Sequence, residues 1–117
     1  MSDAKLDDLN ARVTNAIFRA EDDDRSGRDS RDSWFLVSTV EAEIAAHMPA
    51  SSVEGDIARI GAITAALSAR APRRAVELAN AYLREDLSEE MRVEIDALAR
   101  EAATAVACDV CNRRNAP

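Results

Sequence analysis

The sequence predicts an all-α fold, a compact bundle of four to five helices with short connections and one long acidic turn over 21–32. Three observations lead there. Apolar residues recur at spacings of three and four in five successive stretches, the period of a helix with one buried face. The chain is 47% apolar but only 3% aromatic, and alanine supplies much of the apolar share. Alanine buries little area, so it contributes to a core only where helices approach closely. Three glycines and three prolines are too few for the turns of a sandwich or barrel. At 117 residues the chain is expected to form one helical domain over 1–112, followed by a disordered tail over 113–117.

The first helix is expected over Asp3–Ala20, with Ser2 as N-cap and acids near the positive end of the helix dipole. Leu6, Leu9, Val13 and Ile17 form its stripe, with Phe18 beside them. The stretch Glu21–Asp32, EDDDRSGRDSRD, has no large apolar residue and reads as the reversal between two helices. A second helix starts near Ser30–Ser33 and runs to His47, where Pro49 stops it. Its inward set is Trp34, Val37, Val40, Ile44 and Met48, with Leu36 alongside. Phe35 points away from that set, so this helix is expected to touch both the core and a partner, including a second copy in a homodimer.

Ser51 and Glu54 are spaced as a capping box for a third helix over Ser52–Ala69. Val53, Ile57, Ile60, Ile63 and Leu67 are its expected buried stripe. Gly61 in mid-helix costs up to ~1 kcal/mol, which a close helix crossing would offset. Pro72 suits the first position of a fourth helix over Pro72–Glu85, in which Arg73 and Glu77 are spaced for an i,i+4 pair. Its apolar residues are Ala75, Val76, Leu78, Ala79, Tyr82 and Leu83. Ser88 caps a long fifth helix that faces inward with Met91, Ile95, Leu98, Ala102, Ala105 and Val106 and frays near Asn112.

The net charge of −7, with a pI near 4.7, repels phosphate backbones and anionic membranes. Nucleic acid and membrane are therefore not expected as partners; the sign suits a basic protein surface or a cation. Arginine outnumbers lysine fourteen to one, which with the alanine content suggests a high-GC bacterial or phage genome. No apolar run reaches the length of a membrane span, and the opening MSDAKLDDLN is polar and acidic, unlike a signal or transit peptide. The expectation is a cytoplasmic protein.

Asp22, Asp24, Ser26 and Gly27 stand in D-x-D-x-S-G order, which resembles the first half of an EF-hand calcium loop. By that resemblance Asp22, Asp24 and Ser26 would be side-chain ligands, Arg28 would offer a backbone carbonyl and Ser30 a water-mediated contact. The second half departs from the pattern: Ser33 stands where a bidentate glutamate belongs, Asp29 where an apolar residue belongs, and three arginines intervene. Cys108 and Cys111 form a C-x-x-C pair, half of a zinc site, which His47 or a second copy would have to complete. Glu43 and His47 lie one helical turn apart, the spacing of a carboxylate–imidazole pair. Arg70, Arg73 and Arg74 cluster at the Ala71-Pro72 turn. The segment Arg74–Leu83, RAVELANAYL, is similar to the second helix of a tetratricopeptide-type hairpin, but only one such unit occurs.

No phosphate loop, H-E-x-x-H motif or nucleophile elbow is present. The expected function is therefore non-enzymatic and without cofactor: a small acidic inhibitor, adaptor or regulator that binds another protein. Its expected contact residues are Trp34, Phe35, Asp22, Asp23 and Asp24. The alternative is a metal-binding module using Asp22, Asp24 and Ser26 for calcium, or Cys108 and Cys111 for zinc.

Overall fold

Sequence-local signals set where most of the helices begin. In the computed structural model, which describes residues 2–114, the order is α1 (Asp3–Arg25), α2 (Arg31–His47), α3 (Val53–Ser68), α4 (Pro72–Leu83) and α5 (Glu89–Arg114), with no strand among those residues. Ser2 caps α1 by accepting from the Lys5 backbone N–H at 3.2 Å, and Ser88 caps α5 by accepting from the Met91 N–H at 3.2 Å. Pro72 occupies the first turn of α4, where its missing N–H is not needed. The cap of α3 is Ser52 and not Ser51: its hydroxyl accepts from the Gly55 N–H and donates to the Pro49 carbonyl, both at 2.9 Å. That shift of one residue takes Glu54 out of the reciprocal position of a capping box.

Three boundaries differ from the sequence expectation by more than one residue. Helix α1 continues five residues past Ala20, through the acids to Arg25. Helix α4 stops at Leu83, before Glu85. Helix α5 runs to Arg114, past Asn112, so it includes the first two residues of the expected tail; residues 115–117 lie outside the described residues. At the end of α3, Arg70 adopts a left-handed φ of 57° and the Ala71 N–H donates to the Ala66 carbonyl at 2.9 Å. This is a Schellman closure with arginine where glycine is usual.

Each helix packs on the next, and α3 also meets α5. The backbone of α1 approaches no helix but α2 among the described residues. The result is a flattened bundle of 52 × 35 × 18 Å with α3 at its centre. Leu9, Val13, Val37, Val40, Ile44, Ile63, Tyr82, Leu87 and Ile95 form the core with ten alanines between them. Trp34 turns inward against this core. Phe18, expected beside the stripe of α1, points outward and is 66% exposed.

The largest departure concerns α3. Its buried face is Gly55, Ala58, Arg59, Ala62, Ile63, Ala65 and Ala66. Only Ile63 of the expected stripe is fully buried; Ile60 and Leu67 lie at the border, and Val53 and Ile57 are 71% and 64% exposed. The reason is packing: a central helix with neighbours on three sides gains more from small residues that admit close approach than from one greasy stripe. The contact with α2 is close enough that the buried Ser38 hydroxyl donates to the Ala62 carbonyl at 2.8 Å. The same hydroxyl accepts from Arg74 Nε at 3.0 Å, which ties α4 to the pair.

The one buried charge on that face is Arg59, 4% exposed. Its guanidinium donates to Glu85 at 2.6 Å, to the Gly55 carbonyl at 2.9 Å and to the Met48 carbonyl at 3.0 Å, and lies 5.5 Å from the Tyr82 ring centre. It thereby joins the ends of α2 and α4 to the start of α3. Gly55 is required beside it, because a Cβ there would meet the Pro49 carbonyl oxygen at 2.2 Å.

Candidate functional site

The acidic turn is folded onto itself. Asp22, Asp23 and Asp24 belong to the last turns of α1. In a helix, residues two apart point about 200° away from each other, so Asp22 and Asp24 do not converge as loop ligands would. Arg28 donates to Asp22 at 2.6 Å and to Asp23 at 3.0 Å. Ser33 donates to Asp23 at 2.7 Å. Asp24 accepts from the Ser30 hydroxyl and, at 2.9 Å, from the Trp34 indole N–H. The Ser33 and Arg28 hydrogen bonds hold Asp23 below the usual carboxylate range, and those from Ser30 and Trp34 do the same for Asp24. Asp29 is pulled to about 2 by its hydrogen bonds from Arg31. Ser26 ends α1 through its backbone N–H, and Gly27 takes the turn at φ 73°.

The other sequence candidates are also dispersed. Phe35 stays half exposed, with the Arg74 guanidinium 5.0 Å from its ring centre. Glu43 faces Lys5 at 3.8 Å rather than His47. Arg73 and Glu77 form no ion pair among the described residues. Cys108 and Cys111 are free, exposed thiols on α5, and α5 does not approach the helix that carries His47. No group of three or more His, Cys, Asp or Glu side chains suited to a metal ion occurs among the described residues.

What sequence reasoning missed is the outer side of α3. Because α1 and α3 flank α2 without approaching each other, a cleft of ≈ 240 Å³ stays open above α2, lined by Leu6, Glu41, Ile44, Met48, Glu54 and Ile57 among others. A second cleft of ≈ 490 Å³ runs between α3 and α5, lined by Val53, Asp56, Ile57, Ile60, Gly61 and Met91. Ile57 belongs to both clefts. The Glu41 carboxyl lies where they adjoin, against Gly61, whose Cβ, if present, would sit 3.0 Å from the Glu41 Cδ. Gly61 thus makes room for a carboxyl group rather than for a helix backbone.

The two clefts are lined by three acids, Glu41, Glu54 and Asp56, and by no lysine or arginine. Glu41 has no hydrogen-bond or ion-pair partner among the described residues, and burial pushes its carboxyl up to about 7. The Oδ1 atom of Asp56 is buried and likewise accepts no hydrogen bond. A half-buried carboxyl with no donor beside exposed aliphatic side chains is costly to fold, which marks the groove as a candidate site. The signal in the sequence was the run of large aliphatics on α3, of which Val53 and Ile57 face solvent while Ile63 reaches the core.

No helix among the described residues is long and apolar enough to cross a membrane. Compared with protein families, curated proteins and solved structures, the chain matches none.

Proposed function

We propose that this chain is a small, acidic, non-enzymatic protein-binding protein, an inhibitor, adaptor or regulator, and that it binds through the groove along α3. One observation carries this reading: the central helix turns Val53 and Ile57 to solvent, one turn apart, beside a carboxyl that has no partner among the described residues. Contiguous exposed apolar surface rimmed by polar groups is what protein-interaction sites look like. On this reading the groove takes precedence over the expected contact residues Trp34, Asp22, Asp23 and Asp24, whose donors and acceptors are engaged within the chain. Phe35, half exposed beneath Arg74, is left as a peripheral contact.

The test is capture from lysate with three versions of the full chain: wild type, Ile57→Asp, and Phe18→Asp as a control on an exposed apolar residue outside the groove. Partners held by wild type and Phe18→Asp but lost by Ile57→Asp support the reading. Equal capture by all three removes α3 as the surface. Affinity for the captured partner should also weaken from low to high salt, since the groove is acidic; a salt-independent affinity removes the carboxylates from the account.

A further inference from the structure

We infer that the occupant of the α3 groove is an amphipathic helix of another protein, which lays apolar side chains on Val53 and Ile57 and sets an arginine or lysine against Glu41. This rests on the groove being the protein-binding surface. The helical form of the occupant follows from the shape of the site. Val53, Ile57 and Ile60 sit at i, i+4 and i+7 on one helix and make a linear apolar strip, the counterpart of a helix whose anchors have the same spacing. An extended peptide would need a free backbone edge to pair with, and the backbone of α3 is satisfied within the helix.

The cation follows from charge. Glu41, Glu54 and Asp56 face the groove with no base among its lining residues. Glu41 is the one at the junction, where Gly61 leaves its carboxyl space against α3. A guanidinium or ammonium group arriving there would find a carboxyl group in place, ready to ionise and without a competing donor among the described residues. A second copy of this chain is a poor occupant: it carries a net charge of −7 and would set the same three acids against each other. Burial raises the Glu41 carboxyl to about 7, and a cation would draw it down again. Binding near pH 6 therefore expels a proton from Glu41.

The experiment uses the full chain and three synthetic peptides of about 18 residues, long enough to be helical. One is an amphipathic Leu/Lys helix, one has the same pattern in Leu/Glu, and one scrambles the Leu/Lys composition. Backbone amide shifts in NMR report the site, and calorimetry in buffers of different ionisation heat reports the proton. The expected result is that the amphipathic Leu/Lys peptide alone shifts the amides between Val53 and Gly61. Glu41→Gln should weaken it about tenfold, the loss expected for one charge-assisted contact, and should abolish the proton release near pH 6. If Leu/Glu binds equally, or Glu41→Gln binds like wild type, the cation contact is wrong while the groove survives as a protein-binding surface. If the scrambled peptide binds as well as the patterned one, the helical occupant is wrong. If concentrating the chain alone shifts the same amides, the occupant is a second copy and the inference fails. If no peptide reaches α3, the helical occupant is wrong, and the capture experiment with Ile57→Asp decides separately whether α3 is the binding surface.

Discussion

At the corner between α1 and α2, Asp23 accepts from Ser33 and Arg28, and Asp24 accepts from Ser30 and Trp34. Beside α3, Glu41 has no hydrogen-bond or ion-pair partner among the described residues, and the buried Oδ1 of Asp56 accepts no hydrogen bond from them. The shifts run in opposite directions: hydrogen bonds pull the corner acids down, while burial pushes Glu41 up to about 7. The corner is the most charged stretch of the chain, yet its charges serve as a clasp that joins two helices. The groove has fewer acids and leaves them without donors. Density of charge and lack of donors thus pick out different stretches of this chain, and the proposed binding surface rests on the second.

The comparison can be tested from the largest effect downward. Arg59→Ala would put Glu85 in the condition of Glu41, a carboxylate beside α3 with no cation. Because Arg59 is buried and bonds three elements, the loss should be about 3–5 kcal/mol, read as a collapse of the urea midpoint. A change below about 1 kcal/mol would mean that partnered and unpartnered acids here differ little. Next, Trp34→Ala removes a half-buried ring and the Asp24 donor together and should cost about 2 kcal/mol, with partner capture unchanged in the folded fraction. Loss of capture at equal folding would make the corner part of the binding surface.

Glu41→Gln should have the opposite sign. A carboxyl with a raised folded pKa destabilises the fold once it ionises, so its penalty is absent below the unfolded value of about 4.5 and complete above about 7. With part of the group still in water, the variant should gain on the order of 1 kcal/mol at pH 8 and nothing at pH 4; thermal melts at both pH values check this. The corner contributes in the reverse sense. Its depressed carboxyls stabilise the fold above their unfolded value of about 3.9, and that contribution is lost as pH falls through the folded values. Smallest of all, Ile57→Ser should alter stability by no more than about 0.5 kcal/mol while removing the partner. A clear drop in melting temperature would show that Ile57 supports the fold.

Much of the architecture was legible in the residues. Ser2, Pro72 and Ser88 announce three helix starts by local chemistry, and the structure uses all three. The end of α1 was not legible, because Glu21–Arg25 has no apolar residue to mark a face. Acids at a helix C-terminus oppose its dipole, and donors that hold them there, Ser30, Ser33 and Trp34, come from the N-cap and first turn of the next helix. Arg59 gave no local sign of burial: its partners Met48 and Glu85 lie 11 and 26 residues away. The candidate groove was half legible, as a periodic stripe of aliphatics on α3 without its direction.

By itself, then, the sequence determined the all-α class, the sequence order of the helices, most of their starts and the acidic sign of the surface. These follow from spacing, caps and charge, which act within a few residues. The tertiary structure decided which face of α3 is buried, that the acidic turn is spent on an internal clasp, and that Glu41 is left without a donor. Periodicity fixes a stripe but not its neighbour; only the close approach of α2, α4 and α5 shows that the alanine face wins the interior. The same approach leaves Val53 and Ile57 outside, and makes them the surface to test.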